Sequence, residues 1–157
     1  MRYDGGHKLD NSLISAFGPS VEWMPVCPEA ESGLPVPREA MRLTGEPDNP
    51  RLVTLHTGLD HTDRIVKWSR EKVELLRCEA LCGFIFKSKS PSSGMRDIEV
   101  CTISGALTGF GAGIFARIFM NAFPLLPVED EDRLRDPIVL AAFMKKIFEG
   151  CDDNVLY

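Results

Sequence analysis

The sequence predicts an α/β fold: a single domain with a mostly parallel open sheet flanked by helices, in a Rossmann-like arrangement. Leu81–Phe86 is a continuous apolar run, and it comes directly after a segment with helical periodicity. Such a run suits a strand that is buried on both faces of a parallel sheet. The 157 residues give room for one compact domain, so we assign residues 1–157 to it. The apolar run is the predicted central strand.

The first part of the chain is predicted to combine short elements with a stiff loop. A helix is expected from Asp10 to Phe17, ended by Gly18-Pro19, and a strand over 21–26 follows it. Seven of the 11 prolines fall between Pro19 and Pro50, so residues 28–39 are expected to form an extended loop rather than a helix. A stiff loop of this kind can hold a site open.

The remaining elements follow from apolar periodicity and turn residues. Two strands, 41–44 and 51–56, are predicted to form a small hairpin excursion joined by a turn-rich linker. A helix capped by Asp60 or Thr62 is expected to run to about Arg77. Downstream we predict a strand over 98–103, a flexible glycine-rich connection over 105–113, a helix over 114–123, a strand over 125–128, a solvated acidic loop over 129–132 and a helix from Asp136-Pro137 to Gly150.

Composition and charge narrow the range of partners. A net charge of -5 and a pI near 5.2 argue against nucleic-acid binding, which needs a basic surface to neutralise phosphates. No apolar run approaches the about 20 residues that span a bilayer, so no membrane association is expected. The first residues lack the apolar core of a secretory signal, which makes the cytoplasm the expected compartment.

Polar side chains follow the central apolar run and predict a ligand site. Open α/β sheets bind ligands beyond the carboxyl ends of their strands, and here that position holds Lys87, Ser88, Lys89, Ser90, Ser92, Ser93 and Gly94. Cys27 follows the predicted strand over 21–26 in the same way, so both ends can face one crevice. A small-molecule ligand is expected there, with Lys87, Ser92, Ser93 and Gly94 as its binding residues. The alternative is a polar turn that merely follows a strand.

Several short motifs, in order along the chain, carry a resemblance to a known family. They are Arg2-Tyr3-Asp4-Gly5-Gly6-His7-Lys8, Pro25-Val26-Cys27-Pro28-Glu29, Gly33-Leu34-Pro35-Val36-Pro37-Arg38-Glu39, Ser90-Pro91-Ser92-Ser93-Gly94-Met95, Gly113-Ile114-Phe115-Ala116 and Pro124-Leu125-Leu126-Pro127-Val128-Glu129. In these motifs the chain resembles the bacterial YbbK/YbgA-type family of domains of unknown function, which includes the 2-thiouracil desulfidases.

The resemblance implies a 4Fe-4S cluster held by three cysteines, whose open iron takes sulfur from a thiocarbonyl substrate. Cys27 matches one of these metal ligands. Ser93 stands where related sequences have the third cysteine, and a serine oxygen is a poor ligand for a soft iron–sulfur cluster. A complete cluster is therefore not expected in this chain. Cys82 or Cys101 could replace a missing ligand only if the fold brings either of them within reach of Cys27.

The resemblance also places an apolar strand and the first cysteine before the Arg2-Tyr3-Asp4 motif, so the domain is expected to be N-terminally incomplete. Loss of a strand from a buried parallel sheet leaves edge groups unpaired. Such a chain should be less stable than the full domain or should pair with itself or a partner, and a homodimer is one form of that pairing.

The function implied by the resemblance is removal of sulfur from a small thiocarbonyl or thiolated heterocycle by a divergent family member. Asp4 and Glu29 are candidate acid–base groups because each lies in a matched motif, and Ser90 is a third catalytic candidate, although no histidine partner is recognised for it. The structural alternative is that Asp4 caps a turn and Glu29 pairs with Arg38 or Lys87. The alternative function is a non-catalytic binding domain of the same fold without the cluster, and whether the chain is an enzyme stays open.

Overall fold

The computed structural model describes the backbone of residues 11–152 and the side chains of residues 11–150. The helices are α1 (Asn11–Phe17), α2 (Pro28–Glu31), α3 (Thr62–Leu76), α4 (Ile114–Ala122) and α5 (Pro137–Asp152). The strands are β1 (Met41–Glu46), β2 (Asn49–Thr54), β3 (Phe84–Phe86), β4 (Ile98–Cys101), β5 (Leu107–Gly111) and β6 (Val128–Asp130). Within residues 11–152, no helix combines the length and the apolarity that a bilayer crossing requires.

Four strands form a mixed sheet in the order β2-β1-β4-β5. β1 and β2 form the predicted hairpin, and Met41 lies opposite Thr54 in it. The hairpin is part of the four-stranded sheet rather than an excursion from it. β4 runs parallel to β1, and β5 runs antiparallel to β4. The predicted α/β class is confirmed, whereas the mostly parallel sheet is corrected to a mixed one, because antiparallel neighbours occupy both edges.

β3 and β6 pair in parallel as a separate two-stranded sheet. Phe84 and Phe86 pack among side chains of α3 and α4, whereas Ile85 packs on the opposite side, among side chains of α1 and α5. Burial on both faces is what a continuous apolar run predicts for a strand. The strand is nevertheless only three residues long, and it lies in the small sheet rather than at the centre of the large one.

The helices cover the two sheets on defined sides. α3 and α4 pack against each other, and Ile65 and Ile114 join Leu43, Leu52 and Val100 of the mixed sheet in one buried cluster. Asp60 supports the start of α3 as predicted, because its Oδ1 accepts a hydrogen bond of 2.8 Å from the Thr62 N–H. The start of α5 is supported in the same way by Asp136, whose Oδ1 accepts the Ile138 N–H at 2.8 Å.

Three further segments differ from their predicted structure. Residues 21–26 form no regular strand: Trp23 and Met24 are exposed, and only the two ends of the segment, Val21 and Val26, pack against the core. Residues 28–31 form α2 instead of an extended loop, because a proline fits the first turn of a helix without losing a needed N–H. The glycine-rich segment predicted as flexible contains β5, in which Gly109 and Gly111 lie against Pro47.

Candidate active site

The turn that follows β3 is held in place by backbone hydrogen bonds from the start of α4. The Phe115 N–H donates to the Ser92 carbonyl at 2.9 Å, and the Gly113 N–H donates to the Gly94 carbonyl at 2.7 Å. Within the turn, the Gly94 N–H donates to the Ser90 carbonyl at 2.7 Å. The serine turn, residues 90–94, is therefore fixed by a buried helix rather than left as an exposed loop.

Gly113 permits this close contact. A Cβ atom at position 113 would lie 2.5 Å from the carbonyl carbon of Ser92, a distance that no side chain can accept. The glycines before α4 therefore serve packing here, since Gly113 lets the helix and the serine turn meet.

Cys27 is presented to the same region by α2. It is the residue before the helix, and its backbone N–H donates to Glu31 Oε1 at 2.7 Å, which fixes the start of the helix. Glu31 also pairs with Lys72 of α3 at 3.0 Å, so α2 is tied to the body of the domain. The Cys27 thiol lies 3.8 Å from Glu29 Oε2, within the range of a weak S–H···O hydrogen bond.

Glu29 connects the thiol to the serine turn. Its Oε1 accepts the Ser92 hydroxyl at 2.5 Å, and its Oε2 accepts Arg38 Nη2 at 3.0 Å. The Glu29 side chain is 13% exposed and that of Arg38 only 6%, so this ion pair is largely shielded from water. Of the two partners considered for Glu29 from the sequence, the structure selects Arg38.

The Arg38 guanidinium has more donors than the described residues satisfy. Its Nε and Nη1 atoms are buried, and neither has a hydrogen-bond partner within residues 11–150. A buried donor without an acceptor costs free energy, and among the described residues the Glu29 carboxylate is the partner that pairs with this cation. Sequence reasoning treated Arg38 only as a structural partner, although its position in a matched motif was a signal for the site.

Three serine hydroxyls complete the cluster. The buried Ser92 hydroxyl lies 3.1 Å from that of Ser90 and 3.4 Å from that of Ser93, and Ser90 Oγ also accepts the Ser93 N–H at 3.1 Å. The structure therefore brings Cys27, Glu29, Ser90, Ser92 and Ser93 into one connected group, with Gly94 at its end. We call this group, together with Arg38, the Cys27–Ser93 hollow.

Lys87 and Ser88 contact the acidic segment, residues 129–132, instead of Glu29. The Lys87 ammonium pairs with Glu131, and the Ser88 hydroxyl donates to Asp132 Oδ2 at 2.8 Å. The hydrogen bond from Ser88 lowers the pKa of Asp132, and the positive charges of Arg135, Lys89 and Lys87 act in the same direction. The substrate-binding role predicted for Lys87 stays a prediction, while its ion pair ties the turn to the acidic segment.

The acidic segment itself is not a solvated loop. Glu129 and Asp130 belong to β6, and Asp130 and Glu131 are buried. Arg96 pairs with Glu129 at 2.5 Å and with Asp130 at 3.5 Å, so the carboxylates are partnered by cations. The prediction of a solvated loop is wrong because these charges compensate one another inside the fold.

Asp4 lies outside the described residues, so its predicted catalytic role stays a prediction. The same holds for the roles assigned to Glu29 and Ser90 in catalysis, to Ser92, Ser93 and Gly94 in binding, and to Cys27 as a metal ligand. What the structure adds is their arrangement: a thiol, a carboxylate, a guanidinium and three hydroxyls in one group.

The residues of the hollow do not fit a cluster that needs three thiolates. Cys27 supplies one sulfur there, and Ser93 presents a hydroxyl at the position matched to a cysteine. Across the side chains described for residues 11–150, no group of three or more histidine, cysteine, aspartate or glutamate residues is placed to hold a metal ion. In that part of the chain, Cys27, Cys82 and Cys101 do not come together in one such group.

Comparison with known proteins gives two matches. The model of the 2-thiouracil desulfurase family matches residues 1–131. A solved structure described as the 4Fe-4S-dependent thiouracil desulfidase TudS is 26% identical, with a TM-score of 0.64, and the match covers 89% of this chain and 88% of that one. No curated protein matches the sequence.

Proposed function

Because the chain belongs to the 2-thiouracil desulfurase family, we propose that it removes sulfur from a small thiocarbonyl heterocycle bound in the Cys27–Ser93 hollow. The observation that carries the proposal is the contact between Glu29 and both sides of the hollow. One carboxylate oxygen faces the Cys27 thiol, and the other accepts the Ser92 hydroxyl. A carboxylate and several hydroxyls are thus close enough together to exchange protons with a bound C=S group.

The reaction exchanges sulfur for oxygen: a thiocarbonyl and water give a carbonyl and hydrogen sulfide. The exchange needs a group that takes a proton from one sulfur or oxygen and gives it to another. Glu29 suits this role because Arg38 and Ser92 fix both of its oxygens. The hydroxyls of Ser90 and Ser93 are further donors that can orient the sulfur or the ring of the substrate.

A second candidate function is a binding domain that keeps the hollow without catalysis. The observation that favours it is Ser93, because a hydroxyl at this position removes a soft metal ligand while keeping a hydrogen-bond donor for a heterocycle. The two candidates differ in one respect. Both bind a small thiocarbonyl compound, but only the enzyme turns it over.

The test is to incubate the purified protein with 2-thiouracil under anaerobic conditions, then measure sulfide and uracil, with iron and acid-labile sulfide analysed in the same sample. We expect sulfide release, and a decrease in kcat of roughly 100-fold or more in Glu29→Gln. The matched control is Glu74→Gln, an exposed helical position whose loss should leave kcat unchanged. Binding of 2-thiouracil by calorimetry without any turnover would support the binding domain instead.

A further inference from the structure

The outer edge of β5 is a surface that the proposed reaction does not use. We propose that two copies of this chain pair along β5, so that their mixed sheets join in antiparallel fashion across a two-fold axis. A homodimer is one form of pairing that the sequence predicts, and β5 gives it a location. Because β5 contributes no residue to the Cys27–Ser93 hollow, this pairing is independent of the proposed desulfuration.

The two edges of the mixed sheet differ in how they are covered. At β2, the Thr54 N–H donates to the Leu59 carbonyl at 2.9 Å, and the His61 N–H donates to the Leu52 carbonyl at 2.8 Å. The chain that follows β2 therefore pairs with that edge. Among the residues that the structure describes, β5 has backbone hydrogen bonds with β4 alone. Its outer N–H and C=O groups are a template for another strand.

The composition of β5 gives this edge none of the usual protection against pairing. The strand reads Leu-Thr-Gly-Phe-Gly and has neither a charge nor a proline, whereas β2 contains Pro50 and Arg51. The side chains of Leu107 and Phe110 are 54% and 57% exposed, and Ile103, in the turn before β5, is 88% exposed. An uncharged edge with exposed apolar side chains is stabilised when a second strand covers it.

The order of residues in β5 suits pairing with an identical strand. In an antiparallel pair centred on Gly109, Leu107 lies opposite Gly111 of the partner subunit, and Thr108 lies opposite Phe110 of the partner subunit. Each of the two large side chains thus meets a smaller residue across the pair. Since each copy has this one edge at β5 and the two edges use each other up, the assembly closes at two copies.

Charge also favours this surface for the pairing of an acidic chain. The net charge of -5 makes two copies repel each other, but residues 101–116 contain no charged side chain. Acidic groups lie on neighbouring segments: Glu99 is the register partner of Phe110, and Asp48 follows the Pro47 that lies against Gly109. Salt screens repulsion between such exposed groups, so the dimer should become tighter as the ionic strength rises.

Sedimentation velocity of the full chain, at concentrations between about 1 µM and 1 mM, tests the pairing. A five-residue edge is a small interface, so we expect a concentration-dependent dimer, with the mass rising from 17.5 kDa toward twice that value. Leu107→Lys/Phe110→Lys should weaken the dimer by about tenfold or more, because lysine protects a strand edge. The matched control is Leu75→Lys/Leu125→Lys, which makes the same charge change at exposed positions outside β5 and should leave dimerisation unchanged.

Amide hydrogen exchange of the wild-type chain locates the interface without any substitution, so the test stands even if a lysine variant fails to fold. Amides in residues 107–111 should exchange more slowly at high than at low protein concentration. Wild-type protein that is a monomer at every concentration would overturn the proposal and leave this edge to a strand of a different protein. A dimer that both lysine pairs weaken equally, or one whose added protection lies outside β5, would also overturn it.

Discussion

At the scale of single residues, the Glu29 carboxylate determines the arrangement of the site. It receives one hydrogen bond from Ser92 and one from Arg38, and it lies beside the Cys27 thiol. The sequence allowed two cationic partners for Glu29, Arg38 and Lys87, and could not select between them. Tertiary structure determines which cation pairs with Glu29, because Lys87 instead forms an ion pair with Glu131.

Replacing Glu29 by Gln should lower the free energy of unfolding by about 3–5 kcal/mol, because it leaves the buried Arg38 cation without its counter-charge. Urea denaturation monitored by Trp fluorescence measures this change. The control is Glu74→Gln, whose partner Arg77 is exposed, and which should cost at most about 0.5 kcal/mol. Equal small losses in both variants would contradict a buried, energetically coupled pair.

The double variant Glu29→Leu/Arg38→Met gives the same pair a second test. Removing both charges at once leaves neither one buried alone, so the double variant should recover part of the stability lost in Glu29→Gln. The measured quantity is again the urea midpoint with its slope. A double variant that loses the sum of two independent changes would show that the two side chains are not coupled.

At the scale of elements, the contact between α4 and the serine turn positions the site. The glycine-rich segment before α4 was the least predictable part of the chain, because glycines indicate turns in a sequence whether they bend the chain or allow close packing. The structure shows close packing at Gly113 against Ser92, and at Gly109 and Gly111 against Pro47. Whether a glycine bends the chain or allows close packing depends on contacts with residues that are distant in the sequence.

Replacing Gly113 by Ala should destabilise the protein by about 1–3 kcal/mol, because the added methyl group would overlap the Ser92 carbonyl. It should also weaken binding of 2-thiouracil by displacing the serine turn. Gly150→Ala is the matched control, since nothing lies within 4 Å of its added Cβ and it belongs to α5. There we expect a gain of about 0.5–1 kcal/mol, measured by urea unfolding. Equal effects at both positions would contradict the close contact.

Apart from α2, which was predicted as a loop, the helices and the hairpin were the most predictable elements. α3 and α4 show apolar residues at helical spacing, and Asp60 and Asp136 mark helix starts with the expected hydrogen bonds. The strands around the small sheet were less predictable. β6 begins three residues later than the strand predicted over 125–128, because Leu125 is almost fully exposed and only Val128–Asp130 pair with β3.

At the scale of the whole molecule, the sequence predicted the α/β fold class but not the directions of the strands in the sheet. Apolar periodicity reports which side chains are buried, whereas the direction of a neighbouring strand is set by chain connectivity. β4 and β5 are connected closely enough to pair in antiparallel fashion, and the sequence predictions contained no strand β5 to reveal this. The proximity of Cys27 to the serine turn was anticipated, although residues 21–26 turned out not to be a strand.

Stability should fall in acid because three carboxyl groups have lowered pKa values. The pKa of Glu39 is lowered mainly by the hydrogen bond from Thr57. Burial raises the pKa of Asp60, but hydrogen bonds from Thr62 and the charge of Arg51 together lower it by more. The pKa of Asp132 is lowered mainly by the hydrogen bond from Ser88. A lowered folded pKa stabilises the protein above the ordinary values of 3.8 for Asp and 4.5 for Glu. This stabilisation is lost as the pH falls below those values.

Urea midpoints measured between about pH 6 and pH 3 test this prediction. The midpoint should decrease toward low pH in the wild type, and the decrease should be smaller in Asp132→Asn, which has no carboxyl group to protonate at that position. Identical pH profiles for the two proteins would show that the bond from Ser88 to Asp132 does not contribute.

The central claim is that Cys27 and the serine turn line one ligand-binding hollow, and an NMR titration with 2-thiouracil tests it most directly. We predict that the backbone amide signals of Cys27, Glu29, Ser93 and Gly94 shift together along a single saturation curve. The exposed face of α3 around Asp63, Lys67 and Arg70, which lines a shallow depression, should not respond. Shifts confined to that face, or none at Cys27 and Ser93 at saturation, would contradict the account.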